Sequence, residues 1–118
     1  MSIFQNSVET RELHKKDTLR TRYYRNSFDQ VKKALDQICS EEDMELQNFN
    51  KSYGDIYIIA DGYEVIAQVI QLNPIETSVD FKINYFSVFG WGKPEKKAVH
   101  LYERLGEILS FKGTVLHP

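Results

Sequence analysis

From Ile56 to Val69 the chain runs as two apolar, strand-forming segments that meet at Asp61-Gly62, a pair suited to a two-residue hairpin turn. With the turn there, Ala60 faces Tyr63, Ile58 faces Val65 and Ile56 faces Ala67, so one sheet face is apolar at every cross-strand pair. The other face carries Tyr57, Ile59, Ile66 and Ile70 beside Asp55, Glu64 and Gln68, with Tyr24 and Phe49 expected at its margins. That is more apolar surface than a face meant only for water carries.

Other periods run through the rest of the chain. Leu19, Thr21 and Tyr23 alternate with Arg20, Arg22 and Tyr24, which predicts a first strand from Thr18 to Asn26. Ser27 and Gln30 have capping-box spacing, and Phe28, Val31, Ala34, Leu35 and Ile38 then form a helical stripe that fades at Glu41. A second strand spans Met44 to Asn50, where the apolar phase slips between Leu46 and Phe49. That slip predicts a bulge or strand end near Gln47 and Asn48. Asn73-Pro74 closes the second strand of the hairpin, and Val79, Phe81, Ile83 and Tyr85 alternate as a fifth strand. After Gly90 and Gly92, which flank Trp91, Pro94 and Glu95 open a last helix. Ala98, Leu101, Tyr102, Leu105, Ile108 and Leu109 make its apolar face, and Gly113 is the expected stop.

The resulting order is β-α-β-β-β-β-α. It predicts an α+β two-layer sandwich, a five-stranded antiparallel sheet with both helices on one face. Residues 1–17 are expected as an N-terminal arm, 18–113 as a single domain and 114–118 as a tail. This order over residues 18 to 112 resembles the fold of the TATA-box-binding protein and, more loosely, the helix-grip proteins, in which a curved sheet grips a long C-terminal helix. The stretches Arg22 to Arg25 and Gly54 to Ile56 are also similar to the opening of small uncharacterised cytosolic proteins of Gram-positive bacteria. That resemblance implies no catalytic residues, and topology by itself assigns no activity.

Bulk properties narrow the classes. At 118 residues the chain has room for one domain, and its 42% hydrophobic and 27% charged residues are ordinary for a globular protein. A mean hydropathy of -0.46 and the absence of a long apolar run exclude a transmembrane helix. The first residues lack the basic and apolar regions of a secretory signal, so a cytoplasmic location is expected. The single cysteine, Cys39, agrees with a reducing compartment. A net charge of -2 leaves no overall electrostatic footprint for nucleic acid.

Three candidate sites follow. The apolar outer face (Tyr57, Ile59, Ile66, Ile70) is covered either by the arm, through Ile3, Phe4, Val8 and Leu13, or by a partner, for which a homodimer is the commonest solution. Phe89, Trp91, Tyr102 and Leu105 are placed to line a pocket for a small apolar ligand between the sheet and the last helix, or else to plug the core edge. Arg20 and Arg22, interleaved with tyrosine, have the chemistry to bind nucleic acid or to stand as solvated, paired arginines. His14, His100 and His117 lack metal spacing, and Glu41, Glu42 and Asp43 suffice as a solvated turn, so no metal or cofactor is expected. With no phosphate loop, nucleophile elbow or zinc motif, the leading expectation is a non-enzymatic domain acting through protein contact.

Overall fold

The computed structural model of the chain describes residues 6–50, 52–87 and 92–115. Within them one antiparallel sheet holds seven strands: β1 (Asn6–Glu9), β2 (Arg22–Tyr24), β3 (Glu45–Asn50), β4 (Asp55–Ala60), β5 (Tyr63–Asn73), β6 (Glu76–Tyr85) and β7 (Phe111–Gly113). Two helices, α1 (Phe28–Glu41) and α2 (Lys93–Ile108), complete the α+β fold, with a single 3-10 turn at Asp17–Leu19. The strand order is β3-β4-β5-β6-β2-β7, and β1 joins β2 on the same edge of β6.

The local signals act where the sequence places them. The hairpin pairs Ala60 with Tyr63, Ile58 with Val65 and Ile56 with Ala67. The β3–β4 register shifts between Leu46 and Asn48, a bulge that changes the side-chain parity of the strand. At the start of α1, Gln30 N–H donates to Ser27 Oγ (3.3 Å) and Ser27 N–H donates to Gln30 Oε1 (2.9 Å), completing the capping box. Phe28 N–H donates to Gln71 Oε1 at 2.6 Å and so ties the helix start to β5.

The expected strand count of five is corrected to seven. Residues 6–9 of the expected arm form β1, pairing Val8 with Ile83, and residues 111–113 form β7 against β2. The expected first strand shrinks to Arg22–Tyr24, because residues 17–19 wind into the 3-10 turn. Gly113 does not stop the last helix. Leu109 is already extended, and the chain is drawn beside β2 by Ser110 N–H donating to Asn26 Oδ1 (2.8 Å) and Arg25 N–H donating to Ser110 O (2.7 Å).

Both helices cover one face of the sheet. Val31, Leu35 and Ile38 of α1 and Leu101 and Leu105 of α2 join Ile58, Val65, Phe81 and Ile83 in one buried cluster. Each fully buried aliphatic of this kind contributes about 1.5–3 kcal/mol. Glu42 links the helices through His100 Nε2 (2.7 Å) and Lys97 Nζ (3.8 Å), and Glu41 meets Arg104 at 2.5 Å. Such partly exposed pairs orient the helices more than they stabilise them.

Gly54 sets the approach to the hairpin. Its N–H donates to Asn50 O (2.7 Å), its carbonyl accepts from Val69 N–H (2.6 Å), and its φ is +79°. A Cβ added there would lie 2.3 Å from Val69 O, whereas one at Gly62 (φ +86°) would meet open space. Gly62→Ala should therefore cost about 1–2 kcal/mol from backbone conformation alone. Gly54→Ala should exceed that by about 1–3 kcal/mol because the strand must shift. Urea unfolding of the two variants checks the difference, and equal losses would contradict the clash.

Candidate functional site: the open face of the sheet

The alternation that buries Ile56, Ile58, Val65 and Ala67 beneath the helices sends Tyr57, Ile59, Ile66 and Ile70 to the opposite face. There Tyr57 stands directly across from Ile66, and the row continues through Lys82 to Glu9. The adjoining rows pair Ile59 with Glu64, and Ile70 with Ser78 and then Tyr23. Tyr57 is 40%, Ile59 38% and Ile70 44% exposed, while Ile66 is half-buried between its neighbours. No described helix lies over them. Of the arm residues expected as a cover, Val8 packs against the core side, Leu13 is exposed, and Ile3 and Phe4 lie outside the described residues. Tyr24 and Phe49, expected at the margins of this face, belong to the other one. Tyr24 pairs with Thr77 and is fully buried, and Phe49 pairs with the core residue Ile56 beneath Lys32.

One end of the open face is walled by residues 10–21. Glu9 pairs with Lys82 and Arg22 with Val79, so between β1 and β2 the chain leaves the β6 edge opposite only Asp80 and Phe81. Asp80 draws the two ends of this excursion together. Its Oδ1 accepts from Thr10 Oγ1 (2.7 Å) and from Thr21 Oγ1 (2.8 Å). The loop also closes on itself, Arg11 N–H donating to Leu19 O and Thr21 N–H to Arg11 O, with Leu19 buried as its plug. Tyr23 O–H donates to the Glu12 carboxylate, which fixes the near wall. At the loop tip Leu13 has a φ of +58°, uncommon for a leucine, and is 85% exposed.

Between this wall and the sheet lies a cleft of about 500 Å³, with Ile66, Ile70 and Leu72 on its apolar side and Asp80, Glu12 and Tyr23 on its polar side. The Asp80 carboxyl is held above its ordinary value mainly by burial, with Glu12 and Glu9 adding to the rise and the two threonine hydroxyls opposing it. Tyr102 reaches this clasp from the helix side: its hydroxyl lies 2.8 Å from Val79 O and 3.0 Å from Thr10 Oγ1.

The structure separates the other candidate residues. Tyr102 and Leu105 are fully buried, with Tyr102 tilted against Phe81 at 5.0 Å between ring centres; Phe89 and Trp91 lie outside the described residues. Arg20 donates to His14 O (2.9 Å) and pairs with Asp17 (3.2 Å). Arg22 instead points to the helix side, its Cζ 4.7 Å from the centre of the Tyr102 ring, so the two arginines share no basic stripe. Burial pushes the Cys39 thiol up to about 11, far from a thiolate nucleophile. Among the described residues no group of His, Cys, Asp and Glu is placed to hold a metal ion, and no helix is long and apolar enough to cross a membrane. The cleft at Asp80 escaped sequence reasoning, because its walls come from segments more than fifty residues apart that no local period connects.

No family pattern matches this chain, and no curated protein or solved structure matches it.

Asp80 makes a measurable contribution to pH dependence. Because the folded chain holds its proton more tightly than the unfolded chain does, its stabilising share is full below pH 3.8 and is lost as the pH rises through the raised folded value. Urea unfolding between pH 3 and 7 should show wild type losing stability relative to Asp80→Asn as the pH increases through the acid range. Parallel curves for the two proteins would remove Asp80 from this role. Cys39 should stay unmodified by a thiol reagent at pH 8 in the folded protein and react only on denaturation. Stoichiometric labelling without urea would contradict its burial.

Proposed function

We propose that this chain is a non-enzymatic, cytoplasmic domain that acts through protein contact, the open face of its sheet pairing with a second copy of itself. The observation that carries this reading is the directly opposed pair Tyr57 and Ile66, flanked by Ile59 and Ile70, on a face with no described helix over it. Apolar side chains grouped in this way favour a contact over a solvated surface. The charges around them suit a copy of the same face. Lys82 sits next to Ile66 with no ion pair among the described residues, while Asp55 and Glu64 flank the apolar pair on the same face. A two-fold contact can set each Lys82 against a carboxylate of the other subunit. The buried, unpaired Cys39 suits a reducing setting.

Sedimentation equilibrium provides the test. Wild type should be dimeric at tens of micromolar, and Ile59→Glu or Ile66→Lys should weaken the dimer by at least a hundredfold, since each places a charge in the contact. A wild-type monomer throughout that range, or dimers indifferent to both substitutions, would overturn the reading.

The cleft beside Asp80 favours a second reading, a small-ligand carrier. Its volume of about 500 Å³ lies within the range of small-molecule pockets. The ligand would then sit on the outer face rather than between the sheet and α2, where Tyr102 and Leu105 fill the core. Native mass spectrometry of freshly purified protein distinguishes the two, a retained small molecule supporting the carrier and a bare dimer the contact.

A further inference from the structure

We infer that Arg22 and Tyr24, on the helix side of β2, form a binding site for a small organic carboxylate. The two residues are two positions apart on one strand and face the same way, Arg22 opposite Val79 and Tyr24 opposite Thr77. The Arg22 guanidinium lies against two aromatic rings, its Cζ 4.7 Å from the centre of Tyr102 and 5.1 Å from that of Phe111. Its Nε is buried and has no hydrogen-bond partner among the described residues. Tyr24, fully buried with its ring 5.7 Å from Phe111, also has a hydroxyl without a partner. Two neighbouring buried groups able to donate, with no acceptor for either among the described residues, mark a place for an acceptor from outside the chain.

Charge narrows the acceptor to an anion. Arg22 makes no ion pair among the described residues, and its positive charge acts on both the Tyr24 and the Tyr102 hydroxyls, opposing the rise that burial gives each. Arg22 and Tyr24 both lie against the ring of Phe111. A carboxylate offers two oxygens, one for Nε–H of Arg22 and one for the Tyr24 hydroxyl, and hydrogen bonds to an ionised acceptor are the stronger kind. One free cation balances one negative charge. Lys112, the next cation along β7, is taken up by Glu76 at 2.6 Å, so a phosphate dianion would remain half-compensated. The rings of Phe111 and Tyr102 add apolar surface for the carbon skeleton of an organic acid. Arg22 is only half-buried, which leaves the outer part of its guanidinium open to solvent.

The site is independent of the outer face, and its test is independent of oligomeric state. The Arg22 Nε–H resonance and the Tyr24 ring signals are followed by NMR while benzoate, inorganic phosphate or chloride is added at constant ionic strength. Benzoate should shift both sets saturably in the millimolar range, and phosphate and chloride should not. Tyr24→Phe should fold with unchanged or higher thermal stability, because the hydroxyl it removes has no partner. It should bind benzoate about tenfold more weakly, as expected for one lost hydrogen bond to a charged group. Arg22→Gln should abolish the shifts; should that variant fail to fold, Tyr24→Phe decides alone. Absence of a saturable benzoate shift, equal shifts with phosphate or chloride, or unchanged benzoate affinity in Tyr24→Phe would each overturn the assignment.

Discussion

Strand β6 is the element on which the rest of the sheet is registered. One edge takes β5 along nearly its whole length, from Tyr63 opposite Tyr85 to Asn73 opposite Glu76. The other edge is divided between β1 and β2, which run in the same direction and leave only Asp80 and Phe81 between them. Residues 10–21 must therefore leave the sheet and return within the space of two β6 residues. Hydrogen bonding to Asp80 makes that possible: Thr10 and Thr21 both donate to one carboxylate, while Thr10 continues the ladder through its N–H to Phe81 O at 2.9 Å. The carboxylate that closes this gap is partly withdrawn from water, which is why its proton is held more tightly than usual. A structural tie and a polar cleft thus arise from the same few atoms.

The elements readable from the chain were those whose signals lie close together in sequence. Asp61-Gly62 sets the hairpin register because a two-residue turn allows one pairing, and the phase slip at Gln47 and Asn48 reveals the β3 bulge because a strand has a period of two. The Ser27 capping box is equally local. β1 and β7 had no such mark. Four residues of β1 hold one apolar side chain, Val8, and three residues of β7 follow a helix whose apolar stripe runs to Leu109; both are strands only because β6 and β2 offer free edges. Short edge segments of this kind are defined by their neighbours rather than by propensity.

Alternation told which residues share a face but not which face meets the core. Arg22 and Tyr24 lie on the side opposite Tyr23, as alternation predicts. An arginine beside a tyrosine reads as outward-facing, yet β2 turns both towards α2. The same ambiguity moved Phe49 from the outer margin to the helix side, since the bulge reverses parity just before it. For the hairpin the question did not arise, because Ile56, Ile58 and Val65 on one side outweigh Tyr57, Ile59 and Ile66, which share theirs with Asp55, Glu64 and Gln68.

The two sides of the sheet therefore carry different kinds of incompleteness. On the outer face the deficit is apolar: exposed isoleucines and a tyrosine lose nothing but contact with water when a partner covers them. On the helix side the deficit is polar, and it lies at β2, where Arg22 meets the rings of Tyr102 on α2 and Phe111 on β7. An aliphatic pair at positions 22 and 24 would satisfy that corner with no donors to place. Instead Arg22 Nε–H and the Tyr24 hydroxyl stand buried with no partner among the described residues, at a cost on the order of 1–3 kcal/mol for each group. A domain of this size has a total stability of only about 5–15 kcal/mol, so two such groups side by side weigh heavily against the fold unless an acceptor offsets them. The outer face gains by being covered and the Arg22 corner by being filled, and a single occupant cannot do both, since the sheet stands between them.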